Sequence, residues 1–196
     1  MINGLFSDPN PDVDFSDGKL LVAAPLNYYG FLQRSVQLII DATEQALITI
    51  ILGRLTDRPL AEGVDEWSEL AGNPKAYFQG GVHEPQGVLA LATRGPQADT
   101  SPIQWFSALP SVGLVALESG VDEVREAIGQ MRFFLGYNAL PTDQVREGIA
   151  AGNWRLVSGL TDDVFAPVTA DVWGSVLRRM PSPAPLWATY PSSGEN

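Results

Sequence analysis

The sequence contains no cysteine, and this absence removes several classes of function at once. Disulfide bonds, thiolate nucleophiles, cysteine-ligated zinc and iron–sulfur clusters all need a thiol that the chain cannot supply. A chain without disulfides also fits a reducing compartment.

Histidine is almost as scarce, because His83 is the only one. Imidazole is the commonest general base near neutral pH, and a position next to Gly80 and Gly81 could bring it to a cleft. A catalytic triad also needs a nucleophile and an orienting acid, and no G-x-S-x-G elbow nominates a serine. The nucleotide-binding loops G-x-G-x-x-G and G-x-x-x-x-G-K-[ST] are missing too. We therefore favour a non-enzymatic role without a cofactor, and we leave a hydrolase that uses His83 as an open alternative.

Metal ligands are equally sparse. With one histidine and no cysteine, only an all-oxygen site is left, and neither Asp41 nor the pair Asp162 and Asp163 has the spacing of an EF-hand loop. Adjacent acids before an apolar run are typical of a helix start. We expect no metal site.

Positive charge is in short supply, with 12 Lys and Arg against 23 Asp and Glu and a net charge of −11. Nucleic-acid binding needs clustered cations that release counterions from phosphates. The tight basic pair Arg178 and Arg179 lies near a predicted helix end, where it complements the helix dipole. Direct DNA or RNA contact is therefore disfavoured.

Long apolar runs are absent as well. No run approaches the roughly 20 residues of a membrane helix, and the acidic, turn-rich first 19 residues lack the basic start of a signal peptide. We expect a cytoplasmic protein with no membrane partner. The chain divides into an acidic, mobile or loosely docked N-terminal tail (1–19), one domain (20–190) and a C-terminal tail (191–196).

What the chain does contain is a series of short apolar segments rich in β-branched residues. The segments 35–41 and 47–52 are separated by a short polar link, which predicts an antiparallel hairpin. The other predicted strands lie at 20–25, 76–79, 88–92, 111–117, 131–136 and 153–158, with a closing strand at 186–190.

Helical periodicity is confined to four segments, at 64–71, 120–130, 141–151 and 171–180. The strands crowd together early in the chain and alternate with helices later. This mixture predicts an α+β protein with a mixed, largely antiparallel sheet rather than a doubly wound parallel one. The residues 93–110 contain four breakers and are predicted to form a long excursion, in which Trp105 and Phe106 either pack back onto the body or bind a partner.

Several short motifs also occur in a fixed order. They are LLVAAP (20–25), RSV (34–36), GR (53–54), FQGGV (78–82), FLGY (134–137), GNW (152–154), DDVF (162–165), Trp173 and LRR (177–179). In this order and spacing the chain resembles the YqgE/AlgH family of bacterial proteins from Leu20 to about Tyr190. The resemblance implies a branched, barrel-like sheet with flanking helices, and a suggested role in transcriptional regulation.

The chain also departs from the family pattern at three motifs. Where the family has Gly-x-x-x-Asn-Arg-Pro after the hairpin, only Arg54 is kept, and Gly-Gly-Pro-Val becomes the run 80–83. The family's Gly-Tyr-x-Gly-Trp-x-x-Gly-Gln becomes the run 136–144, without the tryptophan and the two inner glycines. The resemblance thus indicates a divergent member.

Glycines and arginines at strand ends form the candidate site. Exposed amides at glycine turns can hold an anion, and arginine forks match carboxylates and phosphates. The predicted polar cleft consists of Arg34, Arg54, Gly80, Gly81, Tyr137 and Gln144. The alternatives are that the glycines only make tight turns with positive φ and that the arginines pair with local acids. The expected partner is a protein or a small anionic ligand.

Overall fold

A branched sheet organises the chain. The computed structural model describes residues 13–25, 30–60, 64–98 and 103–190. Within them ten strands form one sheet in the order β10-β1-β2-β3-β9-β6-β8-β7, and β5 joins β4 to β9 from outside this path. The strands are β1 (Lys19–Ala23), β2 (Val36–Ala42), β3 (Ala46–Ile51), β4 (Leu55–Pro59), β5 (Ala76–Gln79), β6 (His83–Arg94), β7 (Gln104–Trp105), β8 (Val112–Val115), β9 (Ile128–Pro141) and β10 (Trp154–Ser158).

The long strand β9 is where the sheet branches. One of its edges pairs with β6 in antiparallel register. Its other edge pairs first with β5, in parallel through Phe134 and Leu135, and then with β3, antiparallel from Asn138 onwards. Gly136 lies between these two pairings at φ +67°, a conformation that glycine adopts without steric cost. The fold is therefore a single α+β domain with a curled, largely antiparallel sheet, as predicted.

Short helices flank the sheet. They are α1 (Val121–Val124), α2 (Thr142–Ala150), α3 (Thr161–Val164), α4 (Val172–Arg178) and α5 (Ala184–Trp187), with 3-10 turns at Gly30–Leu32 and Asp65–Trp67. Helix α4 buries Trp173, Val176 and Leu177 against β1, β2 and β3. Helix α2 packs on the opposite face, where Val145 and Ile149 join a separate apolar cluster. The first strands are thus covered on both faces.

Most of the predicted elements are confirmed. The hairpin of β2 and β3 is antiparallel, and α2, α4, β5 and β10 lie where the sequence patterns predict them. Phe106 is fully buried and the indole nitrogen of Trp105 donates to the carbonyl of Ala98 at 3.2 Å, so this pair packs onto the body. The central strands β6 and β9 are longer than predicted because polar residues continue their pairing.

Three predicted elements are wrong. The closing strand at 186–190 is instead the helical turn α5, which Pro183 and Pro185 start because proline fits the first helical turn. The segment 64–71 forms only the 3-10 turn Asp65–Trp67, since tertiary packing of Trp67 replaces helix propagation. The helix predicted at 120–130 ends at Val124, because β9 starts at Ile128.

The first described residues, which include Val13 and Phe15, already pack against the body. Phe15 is buried in the cluster under α2, and Lys19 already belongs to β1. The rest of the predicted N-terminal tail (1–12) and the predicted C-terminal tail (191–196) lie outside the described residues. Among the described residues, no helix is both long and apolar enough to span a bilayer.

Candidate functional site

A tight turn before β2 brings the two predicted arginines to one place. Gly30–Leu32 forms a 3-10 turn, and the amide and hydroxyl of Ser35 both donate to the carbonyl of Leu32, at 3.2 and 2.7 Å. Arg34 lies in the left-handed region at φ +51°. A side chain in this conformation costs free energy, so the surrounding hydrogen bonds must hold the turn closed.

Arg34 lies against the C-terminal segment of the chain. Its Nη1 donates to the carbonyl of Tyr190 at 2.8 Å, and its Cζ lies 4.1 Å from the centroid of the Trp173 ring. That ring is itself fixed, because its indole nitrogen donates to the buried carbonyl of Ala23 at 2.7 Å. The guanidinium therefore rests on a rigid aromatic platform.

Arg54 approaches the same turn from the end of the hairpin. Its Nη2 donates to the carbonyl of Gln33 at 3.3 Å, and its Cζ lies 4.6 Å from the centroid of the half-exposed Phe31 ring. Burial lowers the pKa of Arg54 from its ordinary value because the guanidinium loses water. We call the surface formed by Phe31, Arg34, Arg54 and Tyr190 the arginine face.

Neither of these arginines pairs with an acid in the part of the chain that the structure describes. The ion pairs there join Lys19 to Asp14, Arg125 to Glu69 and Asp122, and Arg179 to Asp163. Aromatic rings and backbone carbonyls, not carboxylates, position the two guanidinium groups. The alternative that they pair with local acids is therefore wrong for the described residues.

The glycine pair lies in the link between β5 and β6, where the chain crosses β9 from one of its edges to the other; we call this link the strand crossing. The amides of Gly80 and Gly81 both donate to the carbonyl of Leu135, at 2.8 and 3.3 Å. A Cβ on Gly81 would overlap the backbone of Tyr137, and one on Gly80 would overlap the carbonyl of Gly136. These glycines are needed for close backbone approach rather than for positive φ, and their amides are committed to the fold.

Tyr137 lies with His83 on the far side of this crossing. The two rings stack at 5.8 Å, the Tyr137 hydroxyl donates to a carboxylate oxygen of Glu84 at 3.3 Å, and the negative charge of Glu84 raises the pKa of Tyr137. The exposed His83 accepts the amide hydrogen of Ala139 at its Nδ1 (3.3 Å). No serine hydroxyl hydrogen-bonds to the imidazole within the described residues, so this geometry does not assemble a triad.

Gln144 lies on the other side of the 30–34 turn. It borders a surface hollow with an empty volume of about 360 Å³, part of which is open to solvent. The other lining residues are Leu32, Leu140, Pro141, Val145 and Trp154. The structure thus places Arg34, Arg54 and Gln144 around one turn, and Gly80, Gly81 and Tyr137 at the strand crossing.

Sequence reasoning missed a buried polar network that joins three strands. The Gln37 side-chain oxygen accepts from the Thr49 hydroxyl at 2.8 Å and from the Asn138 amide at 3.1 Å, and Asn138 in turn accepts from the backbone amide of Val82 at 3.2 Å. All three side chains are buried. Polar residues that interrupt the apolar segments 35–41 and 47–52 were the signal for this network.

A second missed feature is a buried cation. Arg132 donates to the carbonyls of Val164 and Ala166 at 2.8 and 2.9 Å, and its Cζ lies 4.3 Å from the centroid of the Phe78 ring. Burial lowers the pKa of Arg132 to about 10. Two carbonyls at the end of α3 and beyond it hold this cation in place.

Asp163, the second residue of the acidic pair, has a structural role. Asp163 accepts the amide hydrogen of Leu160 at 2.8 Å, which closes the first turn of α3, and forms an ion pair with Arg179 at 2.7 Å. No cluster of three His, Asp or Glu side chains suited to a metal occurs within the described ranges.

Together these features define a single-domain α+β protein built on a branched, half-barrel sheet. The chain belongs to the AlgH-like family, whose profile matches residues 20–184. It is 36% identical over 180 residues to a UPF0301 protein of Corynebacterium efficiens, covering 91% of this chain and 90% of that one. A UPF0301 protein of Streptomyces coelicolor is 31% identical over 182 residues, covering 92% and 94%.

Solved structures agree with this assignment. A crystal structure of a protein from Corynebacterium diphtheriae superimposes with a TM-score of 0.83 at 30% identity, covering 89% of this chain and 92% of that one. The solution structure of the AlgH protein from Pseudomonas aeruginosa gives a TM-score of 0.62 at 14% identity, with coverages of 88% and 91%. The second similarity is one of fold alone. The predicted family is confirmed.

Proposed function

We propose that this protein is a non-enzymatic binding protein, and that the arginine face takes a negatively charged group of its ligand. The observation that carries the proposal is the arrangement of Arg34 and Arg54 around the 30–34 turn. Each guanidinium is backed by an aromatic ring and bonded to a backbone carbonyl, without a carboxylate partner among the described residues. The N–H groups that remain match the oxygens of a carboxylate or phosphate.

The net charge of the chain limits which negatively charged ligands the arginine face can bind. With a net charge of −11, the protein as a whole repels anions. Only a compact anionic group that contacts both arginines is attracted by them more strongly than it is repelled by the rest of the surface. An extended phosphate backbone would meet the acidic remainder of the surface. A regulatory role, such as the one that the family resemblance suggests, would then operate through protein or small-ligand contacts rather than through DNA.

Two further features support a role without catalysis. The lone imidazole of His83 is exposed and accepts a backbone amide hydrogen, and the amides of Gly80 and Gly81 donate to Leu135 rather than facing a ligand. A reactive site would need a base next to a nucleophile in a recess. The cytoplasmic location stays a prediction.

Thermal unfolding with inorganic pyrophosphate and with citrate tests the proposal. A ligand at 100 times its Kd adds about 2.7 kcal/mol, which raises Tm by roughly 5–10 °C for a chain of this size. Arg34→Gln and Arg54→Gln should each weaken binding about tenfold and so roughly halve this shift at the same concentration.

Arg146→Gln is the matched control. Arg146 also bonds to a backbone carbonyl, that of Val13 at 3.4 Å, and lies 4.9 Å from the Phe15 ring centroid, so its guanidinium lies against the segment before β1 rather than against Phe31 or Trp173. The control should keep the full shift. The proposal fails if the wild-type protein shows no shift with either anion, or if Arg146→Gln reduces the shift as much as Arg34→Gln.

A further inference from the structure

We infer that the ligand of the arginine face is an acidic peptide segment of a partner protein that also carries an apolar side chain. This inference rests on the proposed function and specifies the chemistry of the partner. Arg34 and Arg54 would bind the acidic side chains of such a segment. The apolar surface around the two arginines would bind the apolar side chain of the segment.

Large apolar side chains are exposed next to the two cations. Phe31 is 36% exposed, Tyr190 is 46% exposed, and Leu186, one turn before Tyr190, is 68% exposed. The turn itself is ordered, because Tyr190 donates its amide hydrogen to Trp187 at 3.0 Å and Thr189 donates to Leu186 at 3.3 Å. Aromatic residues and arginine side by side are the composition of binding hot spots.

The surface is also held in place before a partner arrives. Trp187 packs against the main apolar cluster, and the Cζ of Arg155 lies 5.4 Å from its ring centroid. On the other side, Trp173 is buried beneath Arg34 and anchored to β1. A surface that is already ordered loses little conformational entropy on binding, which favours affinity.

The alternatives fit only part of this surface. A small anion would bind the guanidinium groups and leave Phe31, Leu186 and Tyr190 in water. A nucleic acid would bring a row of phosphates towards a protein of net charge −11. A peptide in which carboxylates alternate with an apolar side chain would pair with the two arginines and also bury the exposed apolar groups.

The backbone at Arg34 is consistent with such a role. Its φ of +51° is uncommon for a residue with a side chain, and it directs the guanidinium towards the C-terminal segment. Conformations of this kind cost free energy and are found preferentially at binding sites. The bond from Arg34 to Tyr190 joins the charged and the apolar parts of the surface.

Selection from a displayed library of random peptides on the full chain tests the inference. Enriched peptides should combine Asp or Glu with Leu, Phe or Tyr, and their affinity should fall about tenfold in Arg34→Gln and in Arg54→Gln. Leu186→Ser, at a site too exposed to disturb folding, should weaken binding about fivefold.

Leu160→Ser is the control for the apolar contact. Leu160 is 49% exposed and precedes α3, beyond the Ser158 end of β10, whereas the arginine face lies near the other end of β1 and β10. Serine is also favourable before a helix, so this variant should fold and bind every selected peptide as the wild-type protein does.

The outcomes separate the inference from the proposed function. If pyrophosphate or citrate gives an arginine-dependent shift, but the selection yields no acidic and apolar peptides or Leu186→Ser binds them normally, the inference is overturned and the proposed function stands. If neither the anions nor any peptide depends on Arg34 and Arg54, both are wrong. An arginine-dependent shift with an anion, together with acidic and apolar peptides that depend on Arg34, Arg54 and Leu186, supports both.

Discussion

The buried polar network and the arginine face use similar groups in opposite ways. In the network, Gln37, Thr49 and Asn138 bond mainly to one another, with only the amide nitrogen of Gln37 unpartnered among the described residues. On the arginine face, each guanidinium makes a bond to one backbone carbonyl among the described residues and lies against an aromatic ring, and both arginine side chains are only partly buried. Buried polar groups need hydrogen-bond partners within the fold. Partly exposed polar groups can bond to water instead, and a ligand can replace that water.

The comparison separates residues that serve the fold from residues available for binding. The strand crossing and the network should be sensitive in stability measurements and insensitive in direct binding measurements. The arginine face should show the reverse. Variants of each region test this distinction.

The largest effect is expected at the strand crossing, where the link between β5 and β6 passes over β9. Gly81→Ala should destabilise the protein by about 3 kcal/mol or more, because the added Cβ would overlap the backbone of Tyr137 and force the strands apart. Urea unfolding measures this loss. Gly120→Ala, where the nearest atom to the added Cβ is 4.0 Å away, should stay within about 1 kcal/mol, and equal losses would contradict the crossing argument.

The next largest effect is expected inside the network. Asn138→Leu removes the acceptor of the Val82 amide and one donor to Gln37, so it should cost about 2–3 kcal/mol. Equilibrium unfolding in urea measures the change. Gln144→Leu, on the exposed face of α2, is the control and should change stability by less than about 0.5 kcal/mol. A neutral Asn138→Leu would mean that the network contributes nothing to the fold.

A smaller stability effect is expected on the arginine face. Arg34→Gln loses one exposed hydrogen bond to Tyr190 and its contact with the Trp173 ring, which together should cost about 1 kcal/mol. The same variant should lose most of its anion affinity. A loss of stability as large as that of Asn138→Leu would place Arg34 among the residues that serve the fold.

The smallest effect is expected at Tyr137, the partly exposed tyrosine beside the crossing. Glu84→Gln removes the negative charge that raises the pKa of Tyr137, so this pKa should fall towards its ordinary value. Ultraviolet titration of tyrosinate measures the shift, and Tyr137→Phe identifies its signal. If Tyr137 titrates identically in the Glu84→Gln variant and in the wild-type protein, the charge of Glu84 does not act on the phenol.

Several outcomes show why part of the site could be predicted from sequence. Arg34 and Arg54 stand at the ends of strongly patterned strands, so their position at one edge of the hairpin followed from local pattern. Gly80 and Gly81 were assigned to the predicted polar cleft, with tight turns at positive φ as the alternative, yet they permit a strand crossing. A glycine can make a turn, bind a ligand or allow a neighbouring strand to approach, and the residue that faces it decides which. For Gly80 and Gly81 that facing residue is more than 50 positions away in the chain.

The sequence by itself determined the antiparallel hairpin, the helices α2 and α4, the family and the scarcity of reactive groups. The hairpin, the two helices and the scarcity of reactive groups follow from local periodicity, from turn residues and from composition, and the family resemblance follows from short motifs in a fixed order. Only the tertiary structure decided which strands share β9, that Arg34 meets Trp173 and Tyr190, and that Asn138 bonds to Gln37. Those contacts join residues from 34 to 156 positions apart, and their energy exists only once packing has brought the strands and the C-terminal segment together.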